Sequence, residues 1–305
     1  MLISVFSPML SHITICICTC GRPAMLERLL RDIEKQDTGG DFTFSVAIAD
    51  NDAGKSARSV VEKCARECSL QISYAVQSER NIALARNTAL AQATGDFVVC
   101  IDDDEFPVEG WLLHLYRTCE AHQVAGVLGP VKPHFDEPPP RWVTKGRFYD
   151  RPSHPTGFVM PWHECRTGNV LFRRNILPAG EPPFRREFGT GGEDQDFFRR
   201  MIQAGHKFIW CDEAVAFEVV PPARWSRRFM LSRALLRGKN SLRQRRGRAR
   251  NLVKAVIAVP LYALALPFLL LAGQHHFMKY SVKMADHFGR LLAVLGLNPV
   301  HERPM

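Results

Sequence analysis

The sequence predicts an α/β fold, a mostly parallel sheet buried between helices, followed by a C-terminal helical region that associates with a membrane. Three observations predict it. Apolar, strand-like runs alternate with helix-period segments between residues 12 and 122, the pattern of parallel strands joined by helical crossovers. Acidic groups follow two of those runs, at strand ends where open α/β sheets gather ligands. Near the C-terminus, residues 255–272 form an uncharged apolar stretch of 18 residues.

The elements follow in order. Residues 1–11 read as a loose leader, mildly apolar and without the basic start or cleavage site of a signal peptide. Residues 12–18 are a β-branched strand, broken at Gly21-Arg22-Pro23, and Pro23 suits a first helical turn. Met25, Leu26, Leu29, Leu30 and Ile33 then recur at helical spacing. Residues 42–49 form a second strand ending at Asp50-Asn51-Asp52; residues 56–68 a helix, 70–76 a third strand, and 81–93 an Ala- and Leu-rich helix. A fully apolar fourth strand, 97–101, runs straight into Asp102-Asp103-Asp104, and a helix follows over 111–122. Residues 130–161, rich in proline and aromatics, form a long irregular excursion of the kind that shapes substrate sites. Residues 168–174 resume a strand. A Gly-rich turn at 189–192 leads into Glu193-Asp194-Gln195-Asp196 and a stripe of Phe197, Phe198, Met201 and Ile202, and 207–216 hold one or two last strands.

The net charge of +9 is unevenly placed. Residues 224–250 carry 11 Arg and Lys and no acid, whereas residues 1–223 hold 24 basic and 29 acidic residues, a net of −5. The basicity therefore belongs to one segment, and a nucleic-acid reading of the whole chain is excluded. Within that segment the only aromatics for stacking on bases are Trp225 and Phe229, and an apolar stretch follows directly, so attachment to an anionic membrane surface is the simpler reading. At ~1.5 Å per residue the apolar stretch reaches about 27 Å, near the ~30 Å of a bilayer core. Pro260 and Pro267 interrupt it, which leaves a crossing and a re-entrant dip both open. Phe277, Tyr280, Met284, Phe288, Leu291 and Leu295 then form a stripe suited to an interfacial helix. The nine cysteines, irregularly spaced, read as reduced, buried small hydrophobes; Cys16, Cys18 and Cys20 lack the paired spacing of a zinc site.

Four constellations carry chemistry. Three adjacent carboxylates at the end of a buried strand repel one another unless a cation offsets them, and oxygen ligands favour Mg²⁺ or Mn²⁺; a solvated turn capping the next helix is the alternative. Glu193 and Asp194 at a helix start serve either as an N-cap or as a general base on a mobile turn. Arg86 faces the same crevice from its helix, toward a diphosphate or in a surface ion pair. The fourth is the Arg-rich block.

In order and spacing, Ile17-Cys18-Thr19-Cys20-Gly21-Arg22-Pro23, Ala49-Asp50-Asn51-Asp52, Glu79-Arg80-Asn81 through Arg86-Asn87, Asp102-Asp103-Asp104, Thr167-Gly168-Asn169 and Gly192-Glu193-Asp194-Gln195-Asp196 resemble family-2 glycosyltransferases with the GT-A fold, over roughly residues 12–220. The chain is similar to bacterial members that build exopolysaccharide repeat units. The resemblance implies an inverting, metal-dependent sugar transferase that takes a nucleotide-sugar donor, a UDP-sugar, and a lipid-linked or saccharide acceptor at the cytoplasmic face of the inner membrane. It implies that Thr19, Arg22, Asp50, Arg86, Asp102 and Asp103 meet the donor. Asp104 with Asp102 holds the metal, and Asp194 is the catalytic base. Gly168, Asn169 and Glu193 belong to the acceptor side. The expected organisation is a leader (1–11), a GT-A catalytic domain (12–222), a basic helical segment (223–250) and an apolar membrane segment with an amphipathic helix (251–305).

Two departures stand out. Where many relatives carry a late histidine near the metal, this chain has Glu218, which replaces that ligand or leaves it absent; and Pro221-Pro222-Ala223-Arg224-Trp225 lacks the glutamine of processive synthases. A nucleotidyltransferase and a non-catalytic membrane adaptor remain as alternatives. Gly21-Arg22-Pro23 is a poor version of the Gly/Lys-rich triphosphate loop that the first would carry.

Overall fold

The computed structural model describes residues 10–241, 248–297 and 300. The chain divides into two compact units. One holds the described residues up to Lys132 with Arg151–Gly189 and Glu193–Glu218; the other holds Pro133–Asp150, Thr190–Gly192 and the described residues from Val219 onward.

In the first unit, β1 (Ser11–Thr19), α1 (Pro23–Glu34), β2 (Phe42–Asp50), α2 (Arg58–Glu67), β3 (Ile72–Val76), α3 (Ile82–Ala91) and β4 (Phe97–Asp102) alternate as the periodicity predicts. After β4 come β5 (Glu105–Pro107), α4 (Trp111–His122), β6 (Gly126–Leu128) and β7 (Val131–His134), which runs into the second unit. There α5 (Arg141–Gly146) follows, and the chain returns to the first unit for β8 (Val170–Arg173), α6 (Glu193–Gln203), β9 (Phe208–Trp210) and most of β10 (Ala216–Val219). The main sheet has seven strands in the order β3-β2-β1-β4-β8-β6-β9. Only β8 is reversed, being antiparallel to both β4 and β6, so the sheet is mixed but mostly parallel. Its register fixes the site: Thr19 pairs with Asp50, and Cys18 with Asp102, so the polar ends of β1, β2 and β4 come level along one edge.

Alternation along the strands feeds two cores. Ile13, Ile15, Ile17, Val99 and Ile101 join Leu26, Leu29 and Leu30 of α1 and Trp111, Leu112 and Leu115 of α4 on one face. Cys16, Cys18 and Cys100 join the alanines of α3 and Phe197 and Phe198 of α6 on the other. Each fully buried Ile or Leu contributes roughly 1.5–3 kcal/mol relative to exposure. All nine cysteines are free; seven are buried and Cys20 and Cys68 are half-exposed, and burial pushes the Cys18 and Cys100 thiols up to about 12.

The second unit also carries three long helices, α7 (Arg227–Ser241), α8 (Arg248–Ala272) and α9 (Gln274–Val294). Residues 242–247 of the basic segment lie outside the described residues. So do residues 1–9 of the expected leader, and Ser11 already belongs to β1. One expectation changes here. Pro260 and Pro267 do not interrupt the apolar stretch: α8 runs through both, its Ala- and Leu-rich turns tolerating two missing N–H donors, and the chain turns instead at Gly273 (φ 133°). The face that α9 buries within the unit is Met278, Ser281, Ala285 and Gly289, and the bulky stripe expected of an interfacial helix lies outside it, with Phe288 exposed. Small residues win the inner face because the backbones approach closely: a Cβ on Gly238 would strike the Asp286 carbonyl, and one on Gly289 the Leu235 carbonyl.

Candidate active site

The edge formed by β1, β2 and β4 carries the polar cluster. Thr19 ends β1, and its hydroxyl donates to Asp103 Oδ2 at 2.7 Å. Gly21, at φ 65°, makes the turn that starts α1 and presents Arg22 back toward β4. The Arg22 guanidinium bridges two carboxylates: Nη1 donates to Asp104 Oδ2 at 2.7 Å, and Nη2 lies 2.5 Å from Asp103 Oδ1, an ion pair without hydrogen-bond alignment. Burial pushes the Asp103 carboxyl up to about 7, against the lowering influence of Arg22 and with added repulsion from Asp104.

Asp50 ends β2 and is fully buried. Its Oδ2 accepts from the Ala57 N–H at 2.9 Å and from the Tyr74 hydroxyl at 2.8 Å, while Oδ1 has no partner. Burial and this hydrogen bond raise the Tyr74 phenol, keeping it a donor. Asn51 braces the neighbouring loop, donating to the Gln77 and Glu79 carbonyls and accepting from the Asn81 N–H, and Asn81 in turn caps α3. That cap aims Arg86, one turn into α3 and buried, at the site: Nη2 pairs with Asp102 Oδ1 at 3.1 Å and Nε with Glu193 Oε1 at 3.4 Å.

The aspartate run therefore does not act as one cluster. Asp102 turns to Arg86, while Asp103 and Asp104 turn to Arg22. Among the described residues no three His, Cys, Asp or Glu side chains gather as a ready metal cage. A fourth acid, Glu105, continues the run into β5. It is buried, accepts from the Asp102 N–H at 3.2 Å, and its carboxyl is raised far above the usual range by burial and by the Asp102 charge. Glu218 lies opposite Glu105 in the β5–β10 pairing and forms an ion pair with Arg151. Sequence reasoning missed Glu105 and Arg151. Glu105 was legible as a fourth consecutive acid, whereas Arg151, isolated in an irregular segment, gave no signal.

Glu193 and Asp194 open α6. Asp194 is partly exposed; its Oδ1 accepts from the Gln195 N–H at 2.7 Å, and Oδ2 lies 3.9 Å from Arg166 Nε. Asp196, in the same acidic stretch, is buried and consumed by Arg199 and Arg200, each at 2.9 Å. Of the residues expected on the acceptor side (Gly168, Asn169 and Glu193), the first two also make close structural contacts. A Cβ on Gly168 would lie 2.6 Å from Glu105 Oε1, so only glycine leaves room for that acid. Asn169, at φ 60°, accepts from the Trp111 indole at 2.7 Å and donates to the Pro130 and Ala214 carbonyls at 2.9 and 2.8 Å, which uses its whole amide.

Comparison with known proteins identifies the family. The family model described as glycosyl transferase family 2 matches residues 14–178. The chain is 37% identical over 232 residues to the succinoglycan biosynthesis protein ExoM of Rhizobium meliloti, covering 75% of this chain and 73% of that protein. The chain belongs to glycosyl transferase family 2. It is a glycosyltransferase of GT-A-like fold. Among solved structures it is similar to Staphylococcus aureus TarS 1-349 in complex with UDP-GlcNAc, with a TM-score of 0.56 at 15% identity over 95% of this chain and 93% of that one. The mannosyltransferase PcManGT from Pyrobaculum calidifontis, in complex with GDP-Man and Mn²⁺, gives 0.54 at 19% identity over 94% and 74%. At such identities these likenesses speak for the fold.

Proposed function

We propose that this glycosyltransferase is an inverting hexosyltransferase. It moves a sugar from a UDP-sugar to a hydroxyl of a lipid-linked oligosaccharide during extracellular polysaccharide assembly, at the cytoplasmic face of the inner membrane. The observation that carries the reading is the meeting of Asp50, Arg22, Arg86 and the 102–104 acids at one sheet edge. Asp50 Oδ1, buried and unpartnered, is an acceptor matched to a ring N–H such as that of uracil. Arg22 and Arg86 present guanidinium donors that suit diphosphate oxygens once they exchange their carboxylate partners. The ExoM likeness supports the polysaccharide setting, and the UDP-GlcNAc complex of TarS supports the donor class.

Six carboxylates (Asp102, Asp103, Asp104, Glu105, Glu193 and Glu218) face three arginines (Arg22, Arg86 and Arg151), and Asp103 and Glu105 are raised by burial and by the charges of neighbouring carboxylates, Asp102 and Asp104 among them. An all-oxygen set with surplus negative charge fits a hard divalent cation. Asp104 with Asp102 would hold Mg²⁺ or Mn²⁺, which when bound offsets charge on the departing diphosphate. Asp194, partly exposed and flanked by Arg166, takes the proton from the acceptor hydroxyl. With one base and no second carboxylate acting as nucleophile, the hydroxyl attacks opposite the diphosphate and the anomeric configuration inverts. Purified chain incubated with radiolabelled UDP-sugars, Mn²⁺ or Mg²⁺ and a membrane extract holding lipid-linked acceptors is expected to yield labelled lipid. Formation of nucleotide-sugar from a nucleoside triphosphate and a sugar phosphate would favour a nucleotidyltransferase instead.

A further inference from the structure

The second unit carries a helix, α8, long and apolar enough to cross a membrane, with only 6% of its apolar window buried. Its neighbours speak against crossing. Tyr262, near the middle of the apolar stretch, packs on Tyr280 at 5.7 Å and on His287 at 6.0 Å, so α9 lies along α8. This part of α9 carries Lys279, Lys283, Asp286, His287 and Arg290. Asp286 is ion-paired to Arg290 at 2.6 Å and to Arg237 of α7 at 2.8 Å, so α7 is tied to α9 as well. Were α8 to span a bilayer, these charges would enter the hydrocarbon with it, each disfavoured roughly 100-fold at the centre.

The outer face of α8 has the opposite character. Val253, Ile257, Leu261, Leu264, Phe268 and Leu271 recur every three or four residues and are all more than half exposed, with Leu271 at 87%. Arg250, also exposed, continues the stripe at its N-terminal end, within the segment of 11 basic and no acidic residues. An apolar stripe with a basic end matches a lipid surface bearing anionic headgroups. We propose that α8 lies in the plane of the membrane as an interfacial anchor, its outer stripe sunk about 5–10 Å into one leaflet, with α9 and α7 on its aqueous side. The inference rests on the membrane association proposed above and goes further by assigning its geometry.

The test uses the full chain with half-exposed Cys20 and Cys68 changed to serine, expressed in a bacterial host and recovered in inside-out membrane vesicles. Arg250→Cys and Gln274→Cys place a thiol at either end of α8. Both are expected to react with a membrane-impermeant maleimide without detergent. If Cys at 250 reacts while Cys at 274 is protected until detergent opens the vesicles, α8 crosses and the in-plane anchor is wrong, although membrane association stands. In a second arm, the purified chain is floated with vesicles of phosphatidylethanolamine and phosphatidylglycerol. Leu264→Asp with Phe268→Asp is expected to reduce flotation at least ~10-fold. Unchanged flotation of that variant overturns the stripe, and failure of the unsubstituted chain to float overturns the membrane association itself.

Discussion

Asp50 shows how a single side chain joins fold and donor recognition. One oxygen is spent on the Ala57 N–H and the Tyr74 hydroxyl, and the other is left buried without a partner. Tyr74→Phe removes one of the holding bonds and is expected to cost about 1 kcal/mol of stability in denaturant unfolding. Asp50→Asn keeps the shape but turns an acceptor-only group into one that also donates. An affinity for UDP about tenfold weaker, read by calorimetry, is the expected outcome. Arg86 is a second such side chain, buried between Asp102 and Glu193. Arg86→Met removes the buried cation that pairs with Asp102 and Glu193 and is expected to destabilise by roughly 2–3 kcal/mol in the same unfolding assay. The sequence marked Thr19, Arg22, Asp50, Arg86 and the aspartate run as neighbours because each stands at an element end that periodicity locates. It left the pairing of each acid undecided, since that depends on the angle at which Arg22 and Arg86 enter, a consequence of helix docking rather than of local pattern.

Among elements, the strand ends and the turns that follow them organise the site. The β1–β2–β4 register was legible because apolar runs end in acids at matching points, Asp50 and Asp102. The β5–β10 pairing, which brings Glu105 opposite Glu218, joins short strands far apart in the chain, and nothing local announced it. Gly168 and Asn169 carry the motif signal of a substrate contact, and in the structure they also seat Glu105 and tie β8 to two distant carbonyls. Gly168→Ala is expected to destabilise by about 1–3 kcal/mol through the clash with Glu105, and the added change Glu105→Asp, a shorter acid, to recover part of that loss in thermal unfolding. Asn169→Ala removes three hydrogen bonds at a left-handed backbone position, and a loss of ~3 kcal/mol is expected.

For the molecule as a whole, charge separates the work. The net −5 body holds the acidic crevice, and the basic, apolar C-terminal helices hold a surface suited to lipid. The division was visible in composition alone. That α8 is one continuous helix was not, because proline usually ends helices and only exposure of Pro260 and Pro267 on an uncrowded face lets this one continue. Sugar transfer with Asp194 as the base is the proposed chemistry. Its most direct test compares purified wild type with Asp194→Asn in transfer of radiolabel from a UDP-sugar to lipid-linked acceptor, with UDP binding measured on both. The variant is expected to bind UDP as the wild type does while its turnover falls roughly 10²–10⁴-fold. Full turnover by a folded Asp194→Asn chain would contradict it.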